Sequence, residues 1–392
     1  MYAIDDYNVL TLENGISAPL CSRVLGDLGA TVVKVEQPGV GDVNRHWDTI
    51  VHGRSAAHAW VDRNKESIEL DLKSEEGKDV FFELAERADV IIQNFSPGVV
   101  DSLGIGYDDV REHNEDVVYL NISGYGQDGP YRDRKAYDLI MQGETGLIEM
   151  NGSPDAPAKI PLSICDVNAA MWGTIGVLTS LLHREQTGEG QELNVSMFGG
   201  MLSWLGYFPF KYWYTGEVPE RIGFRHHLLV PYGPYETASD EYISYAVLSD
   251  AHWEIFCEDV IEAPELVDDE RFENNENRLA NRDVLEPIIE EIIASEPTEL
   301  WSERLDDAGL PWGHVNDVGE TLEHPQTEHL GMIGEMDTPD GAVKYIENPI
   351  DFDTLDARAE PMPRLGEHTE KILKELGHTD EEIEELRERD VI

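Results

Sequence analysis

The sequence predicts an α/β protein: a parallel sheet with helices on both faces, followed by a smaller region of mixed strands and helices. Three observations carry this. Short apolar strands alternate with helical segments from the N-terminus. The first strand, helix and strand fall within about 30 residues, the spacing of a βαβ unit with a right-handed crossover. The pattern then repeats, and it changes character only after an aromatic stretch beginning at Trp204.

The elements follow in order. Asn8–Leu12 is a short apolar strand, and Ala18–Leu28 has helical spacing stopped by Gly29. Thr31–Glu36 is a second strand, ended by Gln37-Pro38-Gly39. Ile68–Leu72, a helix over Glu75–Ala88 and a strand over Asp89–Phe95 repeat the unit, with Glu75 and Glu76 in the first helical turn, where the dipole favours them. Val117–Ile122 is another strand, leading into the turn Ser123–Gly126. A nearly all-apolar helix over Val167–Arg184 ends at Gly188 and Gly190, and Leu193, Val195 and Met197 alternate as a strand. Pro219 to Pro234 reads as a crossing into a second domain, with strands near Tyr235 and over Tyr242–Val247 and helices from His252 to Asp307. The tail, Glu367–Val391, is two helices split at Gly377, the second opened by a Thr379–Glu382 capping box.

At 392 residues the chain is long enough for two or three domains of about 100–200 residues each. Its charge is abnormal: 29 Lys and Arg against 80 Asp and Glu give −51. In dilute buffer such self-repulsion opposes the compact state, whereas at molar salt the screening length is ~3 Å. The acids are spread along the whole chain, which points to a salt-loaded cytoplasm. The same charge argues against nucleic acid as a partner, because phosphate contacts need a basic surface. Cys21, Cys165 and Cys257 are far apart and form no CxxC pair, so a reducing cytosol fits and neither a disulfide framework nor a zinc site is expected. Met1–Asp6 carries acids where a signal peptide is basic and then apolar, and the longest near-apolar stretch, Ala169–Leu182, falls short of the ~20 residues of a membrane span. A cytoplasmic protein without a membrane partner is the expectation.

The first βα turn, Glu13–Pro19, lacks GxGxxG, so a dinucleotide site is not expected. Neither HExxH nor GxSxG occurs. The scarce cations are more informative. They gather as Arg63, Lys65 and Lys73; as Arg132, Arg134 and Lys135; and as Arg221 and Arg225 beside His226 and His227. A surface under pressure to be acidic keeps a cation where an anion is held, although ordinary ion pairs with abundant acids explain each cation equally well. Asp166 opens the apolar helix. There it is either a helix cap or a carboxylate nucleophile that stays ionised in a dry site, and position alone leaves both open.

Read in order, eight segments resemble the class III CoA transferases, the family that includes formyl-CoA transferase, carnitine CoA transferases and α-methylacyl-CoA racemase. They are Leu25–Glu36, Arg63–Lys73, Ala88–Gly98, Leu103–Gly106, Ile122–Tyr131, Ala136–Leu139, Thr187–Ser196 and Pro363–His368. The family's catalytic aspartate lies shortly before the apolar helix leading into the TGxGQ turn, which is Asp166 here. The resemblance implies that Asp166 attacks a thioester to give a mixed anhydride, and that the released CoA thiolate converts this to an aspartyl-CoA thioester. CoA thioesters are then substrates, and no metal or redox cofactor is needed. It also implies CoA contacts at Leu70, Leu72 and Lys73, at Asn94, Phe95, Pro97 and Gly98, and at Lys135 and Tyr137.

The sequence departs from the family pattern at several points. Gln37 and Ser102 replace arginines, Ile16 replaces a glutamine near the reaction site, and a glycine-rich loop has no counterpart, all of which argue against oxalate and formyl groups as substrates. Tyr137 stands where the racemase branch has a histidine, against α-proton transfer. The family fold implies an interlocked homodimer. Its Rossmann-like large domain is built from residues 1–200 and 349–392, its small domain from 225–325, with linkers at 201–224 and 326–348. The resemblance to salt-adapted members of the family implies succinyl-CoA as donor and a dicarboxylate such as mesaconate as acceptor, and Arg225, His226 and His227 are the candidates to hold the second carboxylate. The alternatives are an α-methylacyl-CoA racemase or epimerase of the same family and a catalytically silent CoA-binding scaffold.

Overall fold

The computed structural model describes residues 2–392. It divides into two compact units. The larger comprises the chain up to Leu147 together with Lys159–Glu217 and Glu328–Ile392; the smaller comprises Ile148–Ala158 and Val218–Thr327.

Six parallel strands form the sheet of the larger unit: β1 (Asn8–Leu12), β2 (Thr31–Glu36), β3 (Lys65–Glu69), β4 (Val90–Gln93), β5 (Val118–Ser123) and β6 (Gln191–Ser196). Their spatial order is β3-β2-β1-β4-β5-β6, with register such as Leu10↔Val33 and Leu10↔Ile91. Side chains alternate between two buried faces. Val9, Val90, Ile92, Val118 and Leu120 join one core, while Leu10, Leu12, Ile91, Val117 and Tyr119 join the other. A parallel sheet needs cover on both sides, and the helices supply it.

On the first face lie α1 (Ser17–Asp27) and α3 (Asp138–Glu144), with α4 (Ile164–Thr187) and α5 (Met197–Trp204), followed in sequence by α6 (Phe208–Thr215). On the other lie α2 (Glu75–Ala85) and, from the end of the chain, α9 (Thr369–Leu376) and α10 (Asp380–Glu388), which add Ile372, Leu373 and Ile383 to the core. The C-terminal segment also shields the edge of β3: His368 N–H donates to the Ser67 carbonyl (3.0 Å), and Glu69 N–H donates to Thr369 Oγ1 (3.0 Å). Such cover satisfies an otherwise open strand edge. The same unit carries a hairpin of β10 (Ile333–Thr338) and β11 (Gly341–Ile346).

The smaller unit has a three-stranded antiparallel sheet, β7 (Tyr232–Glu236), β8 (Tyr242–Ala246) and β9 (Trp312–His314), in the order β9-β8-β7. Helices including α7 (Arg282–Ile293) and α8 (Thr298–Ala308) close a core around Trp253, Phe256 and Trp301.

Several boundaries differ from the sequence reading. The strand expected at Ile68–Leu72 is Lys65–Glu69, because Lys65 and Ser67 are buried polar strand residues that break the apolar alternation. The apolar helix begins three residues earlier than expected and runs for 24 residues. By length and composition it is long enough to cross a membrane, against the shorter stretch expected, but its Cys165, Ala169, Ala170, Val177 and Leu181 lie in the core against the sheet. Met197 opens a helix capped by the Ser196 hydroxyl instead of ending a strand. The aromatic stretch runs from the end of α5 at Trp204 through α6.

Candidate active site

In an open parallel sheet, ligands bind beyond the carboxyl ends of the strands where the strand order reverses. Here that point lies between β1 and β4. The segments leaving these strands, Glu13–Ile16 and Asn94–Gly98, are locked together: Asn94 Oδ1 accepts from Asn14 N–H and Asn94 Nδ2 donates to the Asn14 carbonyl, both at 2.8 Å. Ser17 is the first residue of α1, and its cap position is the apolar Ile16, which makes no side-chain cap bond. The N–H of Ser17 is therefore free to serve another group. The Ser17 N–H and hydroxyl face Asp166, and both favour its ionised carboxylate.

Asp166 is not a cap. The helix starts at Ile164, its cap residue Ser163 makes no side-chain bond, and Asp166 sits in the first turn. The capping work falls to Asp138, at the start of α3: its Oδ1 accepts from the Cys165 N–H (2.9 Å) and its Oδ2 from Gln142 Nε2 (2.7 Å). Gln142, fully buried, also accepts from Ile160 N–H (2.8 Å) and donates to the carbonyls of Ile160 (3.1 Å) and Leu162 (3.3 Å). One amide thus fixes the chain that enters α4. Burial first, and then the neighbouring Asp138 carboxylate, push the Asp166 carboxyl up to about 7, while the Ser17 hydrogen bonds pull the other way. Near neutral pH such a group is a readily ionised carboxylate in a largely dry place, and so suited to nucleophilic attack.

The residues expected at CoA are placed as follows. Leu70 is buried, Leu72 is partly so and Lys73 is exposed, all just past the end of the edge strand β3. Phe95 packs on the second core, and Pro97 and Gly98 form the turn after Asn94. Lys135 reaches this turn, donating from Nζ to Ser96 Oγ at 3.4 Å. Gly98 has φ +85°, and a Cβ there would lie 3.0 Å from Arg132 Nη2, so only glycine suits the position. The structure therefore brings the Asn94–Gly98 and Arg132–Asp138 segments together at the switch point. Tyr137, 75% exposed, precedes α3.

Ile16 precedes Ser17 in the first βα turn, at the switch point, and its own side chain is buried in the first core, 5% exposed. Other expected residues lie elsewhere. Arg63 and Lys65 are buried and engaged by Asp27 and by Glu13 and Asp62, so these two cations are internal partners of acids. Arg225, His226 and His227 belong to the smaller unit. Arg225 pairs with Glu286 (2.5 Å) and Asp283 (3.4 Å), and the His226 ring lies against Tyr232 with its pKa lowered by burial and by Arg282. Among the described residues, no three His, Cys, Asp or Glu side chains are grouped to hold a metal ion. Sequence reasoning missed Ser17, Asp138 and Gln142. The only signal was the AYDL segment, which contains Asp138.

Fold and site together define an α/β enzyme with two neighbouring carboxylates, Asp138 and the partly buried Asp166, at the start of a long helix. The chain belongs to CoA-transferase family III, which matches residues 4–369. An acetyl-CoA:oxalate CoA-transferase of Acetobacter aceti is 35% identical over 95% of both chains. A succinyl-CoA:mesaconate CoA-transferase of Haloarcula hispanica is 33% identical, over 96% of this chain and 97% of its own. A CAIB/BAIF family protein from Brucella suis superposes with a TM-score of 0.85 at 31% identity, covering 96% of this chain and 99% of that one. The protein is thus a class III CoA transferase.

Proposed function

We propose that the protein moves CoA from succinyl-CoA to a dicarboxylate such as mesaconate, with Asp166 as the covalent carrier. The observation that carries this reading is the Asp166 carboxylate itself: partly buried in the first turn of α4, beside Asp138 and facing Ser17, and pushed up to about 7. In the first step an Asp166 oxygen attacks the donor thioester carbonyl; the C–O bond forms, the C–S bond breaks, and CoA leaves as thiolate. The thiolate then attacks the Asp166 carbonyl of the anhydride, which leaves aspartyl-CoA thioester and releases the donor's acid. The acceptor carboxylate reverses both steps. Neither oxidant nor reductant is consumed.

Relatives support the dicarboxylate class. The two CoA-transferases named above and a human succinyl-CoA:glutarate CoA-transferase, 30% identical over 99% of this chain and 90% of its own, are each named for a dicarboxylic acid. The relative named for oxalate keeps that acid among the candidates, and the departures at Gln37, Ser102 and Ile16 weigh against it. Arg225 already has two carboxylate partners, and Arg225→Ala decides its part: a rise in KM for diacids alone supports contact with a second carboxylate, and equal effects on diacids and monoacids refute it. Aromatic side chains exposed on α6, including Phe210, Trp213 and Tyr214, with Trp172, Ile175 and Leu182 on α4, make a surface that favours a homodimer. The charge of −51 favours a high-salt cytosol.

The test is CoA exchange in molar KCl. Succinyl-CoA is mixed with mesaconate, malate, itaconate, oxalate, carnitine or acetate, and product thioesters are identified by mass. A new thioester that disappears in Asp166→Ala supports the reading and names the acceptor. Exchange of an α-proton in a methylacyl-CoA without any transfer replaces it with racemase chemistry.

A further inference from the structure

Beneath the Asn14–Ser17 turn lies a group of ionised side chains with no access to water. Lys34 Nζ is 2.7 Å from both Asp42 and Asp62, and Lys65 Nζ is 2.5 Å from Glu13 and 3.0 Å from Asp62; all of these side chains are fully buried. Buried ion pairs seldom improve on well-packed apolar residues as a source of stability, so such a group calls for another role. Anion binding is not that role, since each ammonium already faces at least two carboxylates.

The group ends on the turn. Asp42 Oδ1 accepts from Gly15 N–H at 2.8 Å, and Asn44 Nδ2 donates to the Gly15 carbonyl (3.1 Å) and to Asp62 (2.9 Å). Lys65 donates to the Pro19 carbonyl at 2.9 Å, and Glu13 accepts from Ser22 at 2.6 Å, both in the first turns of α1. Gly15 has φ +76°, which the glycine permits but does not by itself enforce. From the opposite side Asn94 clamps Asn14 and donates to Ser17 Oγ at 3.3 Å. The backbone N–H and C=O of both Asn14 and Gly15 are therefore held by side chains, two residues before the Ser17 donors that meet Asp166.

We propose that Asp42, anchored by Lys34 and supported by Asn44, is a positioning residue for CoA transfer: through Gly15 it fixes the α1 N-terminus so that Ser17 grips the Asp166 carboxylate in one orientation. The proposal rests on the reading of Asp166 as nucleophile. The buried ions act as a rigid second layer under a turn that has no glycine-rich sequence to shape it.

The test follows the Asp166 carboxyl directly by NMR titration of protein carrying 13C-labelled aspartate, the signal being assigned by its loss in Asp166→Asn. Four forms are compared: the native protein, Asp42→Ala, Asn44→Ala and the control Asp27→Asn. Asp27 is equally buried but pairs with Arg63 at the far end of α1. Asp138, the other charged group acting on Asp166, is unchanged in all four. The expected result is a midpoint raised by about 0.5–1 pH unit in Asp42→Ala and Asn44→Ala, because the ionised form loses hydrogen bonds, and unmoved in Asp27→Asn. In transfer assays kcat falls about tenfold or more in the first two, while KM for the acyl-CoA stays within about twofold. A midpoint unmoved in folded Asp42→Ala and Asn44→Ala overturns the proposal, as does an equal shift in Asp27→Asn. Should Asp42→Ala fail to fold, Asn44→Ala, which removes no charge, decides alone. Absence of transfer by the native protein sinks the reading of Asp166, whereas the titration still decides the role of Asp42.

Discussion

On the proposed reading, the chemistry at the scale of a single residue falls to Asp166. Asp166→Asn keeps the size and removes the nucleophilic charge, and transfer is expected to fall by about 10³-fold or more, measured as initial rate at saturating substrates. The sign of the pH dependence follows from the raised carboxyl. Only the ionised form attacks, so the rate should climb as pH rises through about 7. Stability moves the other way: with about 7 in the folded state against an ordinary 3.8, the folded state binds the proton more tightly, and stability is lost as pH rises from about 4 to about 7. The Asn substitution removes that cost, ~1–3 kcal/mol after allowance for partial exposure. It should raise Tm at pH 8 and leave it unchanged near pH 4. Asp138→Asn takes away the neighbouring like charge while keeping an acceptor for the Cys165 N–H, and the acid limb of the rate profile is expected to move to lower pH. A limb that stays in place would mean that burial alone sets it. Asp166 was legible only through the resemblance to the family, since its place at the apolar helix left a cap and a nucleophile both open. Ser17 and Asp138 were not, because a serine after a turn and an aspartate among 80 acids carry no local mark.

Among the elements, the entry to α4 decides how well the carboxylate is held. Gln142 alone bridges Ile160 and Leu162 and donates to Asp138. Gln142→Ala leaves those buried polar groups unpaired, at ~1–3 kcal/mol, and frees the segment before the helix. A lower Tm together with a kcat reduced about tenfold is the expected result, checked by thermal melts and steady-state kinetics. A lower Tm with unchanged kcat would confine Gln142 to stability. The elements most legible in the sequence were those with a clean apolar period: β1 and β2 match their expected spans to the residue. The third strand slipped because its inward positions Lys65 and Ser67 are buried by ionic and polar partners instead of by apolar contact. Periodicity reads hydrophobicity and is blind to a buried salt bridge.

Across the whole molecule, net charge governs stability. At −51 the folded chain repels itself, and molar salt screens that repulsion. Tm is expected to rise by roughly 10 °C or more between 0.1 and 2 M KCl; a Tm indifferent to salt would contradict adaptation to a salt-loaded cytoplasm. The parallel sheet was legible as a whole, since its strands alternate with helices in order. The inserted smaller unit was harder to delimit. It takes in Ile148–Ala158, a short segment ahead of α4 that carries no apolar pattern of its own.

The most direct test of the central claim is to catch Asp166 in the act. The protein is mixed with succinyl-CoA in molar KCl, quenched with hydroxylamine, digested, and the peptide spanning Asp166 is read by mass spectrometry. A hydroxamate on Asp166 that forms only with acyl-CoA, and is lost when acceptor acid is added first, is the predicted result. Rapid CoA transfer with Asp166 unmodified would contradict the account and require direct exchange between the two acids.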